Sequence, residues 1–199
     1  MVIDTLELAK MLAKGKKRIT IGVKDTLCPI ILGCYDKGMS EACMTILKTN
    51  CYKAGYTNTL LLKDISDHDK NSPIPNNEKF KILIDEWQGK NKIVCPVFYI
   101  NQAINKGHGK GVICEFLDIV YNYTDLRQFT IVIKHPEADF IEQLDFIHNK
   151  NIYIEKDIKK SAKKLIEHLR GHEGYAKRQF FSSSTKNLNS LKLIKSGGR

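Results

Sequence analysis

Short apolar bursts alternate with polar stretches that carry glycine and proline along most of the chain. The spacing inside each burst sorts it into a strand or a helix. Asp4 and Glu7 have capping-box spacing ahead of a helix over residues 4–14, with Gly15 as its terminator. Ile19, Ile21 and Val23 alternate, which predicts a first strand from Arg18 to Val23. A loop from Lys24 to Met39 follows, carrying Pro29, Gly33 and Gly38. Ser40 then caps a helix that holds Ala42, Cys43, Ile46, Leu47 and Cys51 and stops at Gly55.

Thr59 to Leu62 reads as a second strand, and the polar, acidic run Asp64 to Asp69 follows it. Pro73 and Pro75 lead into a helix carrying Phe80, Leu83 and Trp87, which ends near Gly89. Ile93 to Ile100 is an unbroken apolar run and predicts a central strand covered on both faces, with Pro96 near its start or at a bulge. Val112 to Tyr121 reads as a helix with Phe116, Leu117 and Val120 inward, and Phe129 to Ile133 as a fourth strand. Pro136 opens a helix with Phe140, Ile141, Leu144 and Ile147, and Asn151 to Ile154 is a short fifth strand. A last helix sets Ile158, Ala162, Leu165, Ile166 and Leu169 against a lysine-rich side and ends at Gly171.

Strand and helix thus alternate five times, which predicts a parallel sheet with helices on both faces. Five such units suit a three-layer, flavodoxin-like α/β domain with strand order 2-1-3-4-5. The expected organisation is an N-terminal helix and basic linker over residues 1–17, the α/β domain over 18–171, and a flexible basic tail over 172–199. In such sheets the ligand crevice lies beyond the C-terminal strand ends, where the strand order reverses. The segments after strands one and three border that point.

Charge adds a possible partner class. The net charge is +10, and the first 18 residues together with residues 171–199 hold +8 of it. Basic ends of this kind suit a polyanion, or serve as a solubilising surface. Leu188, Leu191, Leu193 and Ile194 in the tail could dock onto a partner, and a homo-oligomer is one expectation. The six cysteines show neither Cys-x-x-Cys nor zinc-site spacing, so no metal site and no cofactor are expected. They read as small buried hydrophobes of a reducing compartment, with Cys114 a possible thiol nucleophile beside the glycines described next. No segment approaches about 18 uninterrupted apolar residues, and no signal-peptide pattern opens the chain. A cytoplasmic protein without membrane contact is expected.

The candidate chemistry sits in Gly107-His108-Gly109-Lys110-Gly111-Val112-Ile113-Cys114-Glu115, after the third strand. Alternating glycines let backbone approach a ligand closely, and the free N–H groups of a helix start favour anions. Glu115 falls one turn into the helix, facing the mouth of the loop. A Walker A loop is excluded, because Lys110 is followed by Gly111 rather than a hydroxyl residue. A dinucleotide turn would follow the first strand, and no Gly-x-Ser-x-Gly elbow occurs.

The step Gly111-Val112-Ile113-Cys114-Glu115 in a five-unit α/β domain resembles a broad superfamily of nucleoside 2-deoxyribosyltransferases and TIR-like NAD-cleaving domains, and more distantly the LOG-type phosphoribohydrolases. The likeness covers roughly residues 18–170 by architecture. Val112 stands where a small hydroxyl residue is frequent, Asn101 where an acidic residue is usual, and the Pro-Gly-Gly signature of the LOG group is absent. The resemblance implies cleavage or transfer of an N-glycosidic bond in a nucleoside, nucleotide or NAD-like substrate. Breaking that bond places positive charge on the sugar, which one carboxylate can stabilise or trap, and Glu115 is the candidate. Gly107, His108, Gly109, Lys110, Gly111, Asn101, Tyr35 and Asp64 are the candidate substrate-binding residues. The group that assists the departing base stays open among Asp64, Asp67, His68, Tyr35 and Asp36. A non-catalytic nucleotide sensor of the same fold, or a nucleic-acid or protein-binding module working through basic ends, are the competing classes.

Overall fold

The computed structural model describes residues 5–33, 39–65, 74–100, 110–136, 138 and 151–196. The chain opens with α1 (Thr5–Thr26) and enters β1 (Leu27–Gly33), followed by α2 (Met39–Lys53) and the two-residue β2 (Leu60–Leu61). A 3-10 helix (Leu62–Asp64) leaves β2; α3 (Asn76–Gly89), β3 (Ile93–Ile100) and α4 (Lys110–Tyr121) come next. A second 3-10 helix (Thr124–Phe129) leads into β4 (Ile131–Lys134), then β5 (Ile152–Ile154) and α5 (Ile158–Ser196). The helix expected after Pro136 falls largely on residues 139–150, outside the described residues.

The strands form one five-stranded sheet in the order β2-β1-β3-β4-β5, and every neighbouring pair is parallel. This is the predicted flavodoxin-like order. β1 and β3 occupy its centre, and every residue of both is buried, as a strand covered on two faces must be. The helices divide between the faces. Phe98 of β3 meets Phe116 of α4 edge-on at 5.1 Å. The next register pair, Gly33 and Tyr99, turns to the opposite face, where Met44 of α2 packs against Gly33. α4 and α2 therefore lie on opposite sides of the sheet. α3 packs with α4, whereas α1 and α5 pack with each other on the α2 side.

Each central strand contains a proline at a position where the sheet tolerates it. Pro29 lies one residue before the β1–β2 ladder begins at Ile30, and Pro96 one residue before the β3–β4 ladder begins at Val97. On those sides no partner strand is yet present to accept a proline's missing N–H.

Three sequence expectations are corrected. The first strand is Leu27–Gly33, inside the expected loop, and Arg18–Val23 belongs to α1. Ile19, Ile21 and Val23 alternate, but Ile19 and Val23 are also i and i+4 on a helix, and only Val23 is buried. Gly15 does not end the first helix, and Gly171 does not end the last. α5 continues to Ser196, so residues 172–196 of the expected flexible tail are helical. A glycine stops a helix by taking a left-handed conformation, which Gly55 does after α2 with φ of 96° and Gly171 does not.

Gly33 is required for close packing. A Cβ there would lie 2.9 Å from the Tyr99 carbonyl oxygen and 2.6 Å from Met44 Sδ. Met44 can swing aside; the backbone of the central strand cannot. Gly33→Ala is expected to cost about 1–3 kcal/mol, read as a lowered midpoint in urea unfolding. An unchanged midpoint would contradict this packing.

Candidate functional site

The strand order reverses between β1 and β3, so the edge beyond their C-terminal ends, at Gly33 and Ile100, is the place where a sheet of this order can offer a ligand crevice. α4 is the helix that follows β3, and it runs back along the sheet from that edge. Its buried residues Val112, Glu115, Phe116 and Ile119 have the i, i+3, i+4, i+7 spacing of a core-facing stripe. One of the four is a carboxylic acid. The solvent side of the same helix carries Leu117, Tyr121 and Cys114. Cys114 thus points away from the stripe that holds Glu115.

Glu115 is 3% exposed, and its Oε2 is buried without a hydrogen-bond partner among the described residues. An acid in this setting resists ionisation. Burial, reinforced by the Asp118 carboxylate one turn on, pushes Glu115 up to about 8. Asp118 is itself held by Lys81 Nζ at 3.4 Å and by the Asn122 side-chain amide, which donates to its Oδ1 at 2.7 Å. At neutral pH Glu115 is therefore mainly the neutral acid, able to give up a proton.

This buried acid makes stability depend on pH. Between about 4.5 and about 8 the folded chain keeps a proton on Glu115 that the unfolded chain releases. The folded state is then increasingly disfavoured as pH rises through that window, by an amount on the order of a few kcal/mol. Glu115→Gln removes the titrating group. The melting temperature of the variant relative to the parent is expected to rise from about pH 5 to about pH 8; a constant difference would show that Glu115 ionises normally.

The other sequence-predicted site residues divide into two groups. Tyr35, Asn101, Gly107, His108 and Gly109 lie outside the described residues. Lys110 and Gly111 form the first turn of α4, two residues earlier than the predicted helix start. Asp64 follows β2 at the edge of the sheet, with β1 between it and β3. Its Oδ2 accepts from Lys48 Nζ at 2.6 Å and from the Leu61 N–H at 2.9 Å. Partial burial opposes its ionisation, but Lys48 and the Leu61 N–H outweigh that and hold Asp64 below the usual carboxylate range. Asp64 serves here as an ion-pair and turn partner. Asp36, Asp67 and His68, raised as helpers for the departing base, also lie outside the described residues.

Two features near the same edge escaped sequence reasoning. Lys134, the last residue of β4, is buried, and among the described residues no carboxylate pairs with it. Tyr99, next to last in β3, is raised by burial and by its hydrogen bond with Cys43 of α2. The thiols of Cys28 and Cys51 are pushed up to about 12 by burial, and that of Cys95 well above its ordinary value, so these three are packing groups.

A cavity of about 290 Å³ opens at the other end of the sheet, where Lys92 and Ile93 enter β3. Asp125, Phe129 and Tyr175 also line it. Nearby on α5, His168 Nε2 lies 3.0 Å from the Phe129 carbonyl oxygen, and the His172 ring packs against both His168 and Phe129. This end of the fold lies away from the C-terminal edge of β1 and β3. Compared with known proteins, the chain matches no family model, no curated protein and no solved structure.

Proposed function

We propose that the protein binds a nucleoside or nucleotide-like substrate beyond the C-terminal ends of β1 and β3 and breaks or transfers its N-glycosidic bond, with Glu115 as the catalytic acid. The observation that carries this reading is the Glu115 oxygen, buried beside the crossover of the sheet and unpartnered among the described residues. A fold keeps such a group at a cost, and functional sites are where that cost is commonly found.

The chemistry follows from the protonation state. With a neutral base, Glu115 donates its proton to a base nitrogen as the C1′–N bond breaks, the bonding pair leaving with the base; a cationic nicotinamide takes the pair and leaves neutral without that proton. The carboxylate so formed faces the positive charge on the sugar and stabilises it. Water or an acceptor hydroxyl adds at C1′, and the proton it loses restores the acid. The Gly-x-x-x-Glu likeness to the deoxyribosyltransferase and TIR-like superfamily supports the same reading.

Mass-spectrometric detection of free base from nucleosides, nucleoside monophosphates and NAD is the test. Release from any of them is the expected result. Ligand binding with no release across the panel would favour the sensor reading. Polyanion binding is a second reading, favoured by the basic helices: residues 177–196 of α5 contain five basic and no acidic residues. A steep salt dependence of oligonucleotide binding would support it.

A further inference from the structure

Residues 8–24 of α1 contain six basic residues and no acidic one. Lys24, the last of them, is used by the fold: its Nζ donates to the Ala54 carbonyl oxygen at 2.6 Å. The other five, Lys10, Lys14, Lys16, Lys17 and Arg18, are exposed, and among the described residues none of them pairs with a carboxylate. Of the described side chains of this helix only Val23 and Thr26 are buried. Lys16 to Ile21 is an unbroken exposed run. Six residues make about 1.7 turns, so the helix is open on every side there.

Such a surface calls for an anionic partner, and the placement of the charges selects its shape. Lys10, Lys14, Lys17 and Arg18 follow i, i+4, i+7, i+8 spacing and make one side, yet Ile21, 52% exposed, stands among them. Lys16 stands on the other side, between Leu12 and Ile19 in the stripe that ends at Val23. A bilayer surface takes a helix with a separate apolar face, whereas here apolar and basic residues share both sides. A groove with a charged wall on each side suits this distribution. The major groove of B-DNA is about 12 Å wide, which matches a helix with its side chains. The major groove of an RNA duplex is too deep and narrow to admit one. α1 contains no aromatic residue, so it offers no stacking platform for single-stranded bases.

We propose that α1 binds duplex DNA in the major groove, with Lys10, Lys14, Lys16, Lys17 and Arg18 contacting the phosphates of its two walls. The inference rests on the polyanion reading above and narrows it to one partner and one element. Val23 and Thr26 anchor the C-terminal end of α1 in the fold, and the length from Lys10 to Ile21, about 17 Å, is left to enter the groove. Phosphate contacts of this kind position the helix without reading base sequence.

Fluorescence anisotropy of the full chain with a labelled DNA duplex of about 20 base pairs tests the assignment, with the RNA duplex and the single DNA strand of the same sequence alongside. Duplex DNA is expected to bind about 10-fold or more tightly than either of the other two. This comparison needs no variant. Combining Lys14→Gln, Lys17→Gln and Arg18→Gln removes three phosphate partners, all exposed side chains on which the fold does not depend. The plot of log affinity against log salt is expected to become shallower by about 3 in that variant. An RNA duplex or single strand bound as tightly as duplex DNA, a salt slope that ignores the substitutions, or binding to phosphatidylserine vesicles that duplex DNA fails to compete would overturn the groove assignment. Equal binding of all three nucleic acids would leave the polyanion reading standing and remove only this inference. Absence of binding to any of them would remove both.

Discussion

Glu115→Gln is expected to lower base release by about 10²- to 10⁴-fold while nucleotide affinity stays close to that of the parent. Glutamine keeps the volume and a hydrogen-bonding end but has no acidic proton to pass to the departing base. Its effect should therefore fall on turnover. The site's geometry makes the substitution well tolerated, because the residue lies in a buried stripe with Val112, Phe116 and Ile119 and, among the described residues, forms no ion pair that the amide would break. Rates measured by free-base quantitation, with binding measured on the same preparations, check it. Equal turnover in parent and variant would remove Glu115 from the chemistry.

Phe98→Ala is expected to cost about 3–5 kcal/mol of folding stability. Phe98 is fully buried at the centre of the sheet, in register with Leu32 on one side and Val132 on the other. Its ring also supplies the edge-on contact with Phe116 that sets α4 on the sheet. Removing it opens a cavity that two strands and a helix cannot jointly close. Leu117→Ala, on the solvent side of the same helix at 38% exposed, should change stability by no more than about 0.5 kcal/mol. Equilibrium urea unfolding measures both. A loss below about 1 kcal/mol for Phe98→Ala would mean that α4 is not seated as described.

The two buried central strands were unequally legible. β3 could be read to its residue limits, because a strand covered on both faces is an uninterrupted apolar run, and Ile93–Ile100 has no competing period. Leu27–Gly33 is a run of the same kind, but Pro29 and Gly33 gave it the look of a loop. Only the sheet explains why they are admitted: Pro29 precedes the β2 ladder, and Gly33 meets the Tyr99 carbonyl. The strand order itself was legible, since it depends on the alternation of elements more than on their limits.

At the candidate site, Glu115 stood out because it lies four residues past the last of three alternating glycines, one turn into a helix. Its protonation state was not legible, since that depends on how tightly Phe116 and its neighbours close over it. Lys134 was missed because it lies one residue beyond the predicted end of the fourth strand, where a lysine reads as a solvated terminus. Its burial comes from the register with Ile100 and Ile154, which no local pattern carries.

A carbon-13 NMR titration of the Glu115 side-chain carboxyl is the most direct check on a fold that holds this acid neutral on the buried face of α4. The resonance, identified by its loss in Glu115→Gln, is expected to titrate with a midpoint near 8. A midpoint at the ordinary carboxylate value of about 4.3 would contradict the account, because Glu115 would then be a solvated anion with no proton to donate.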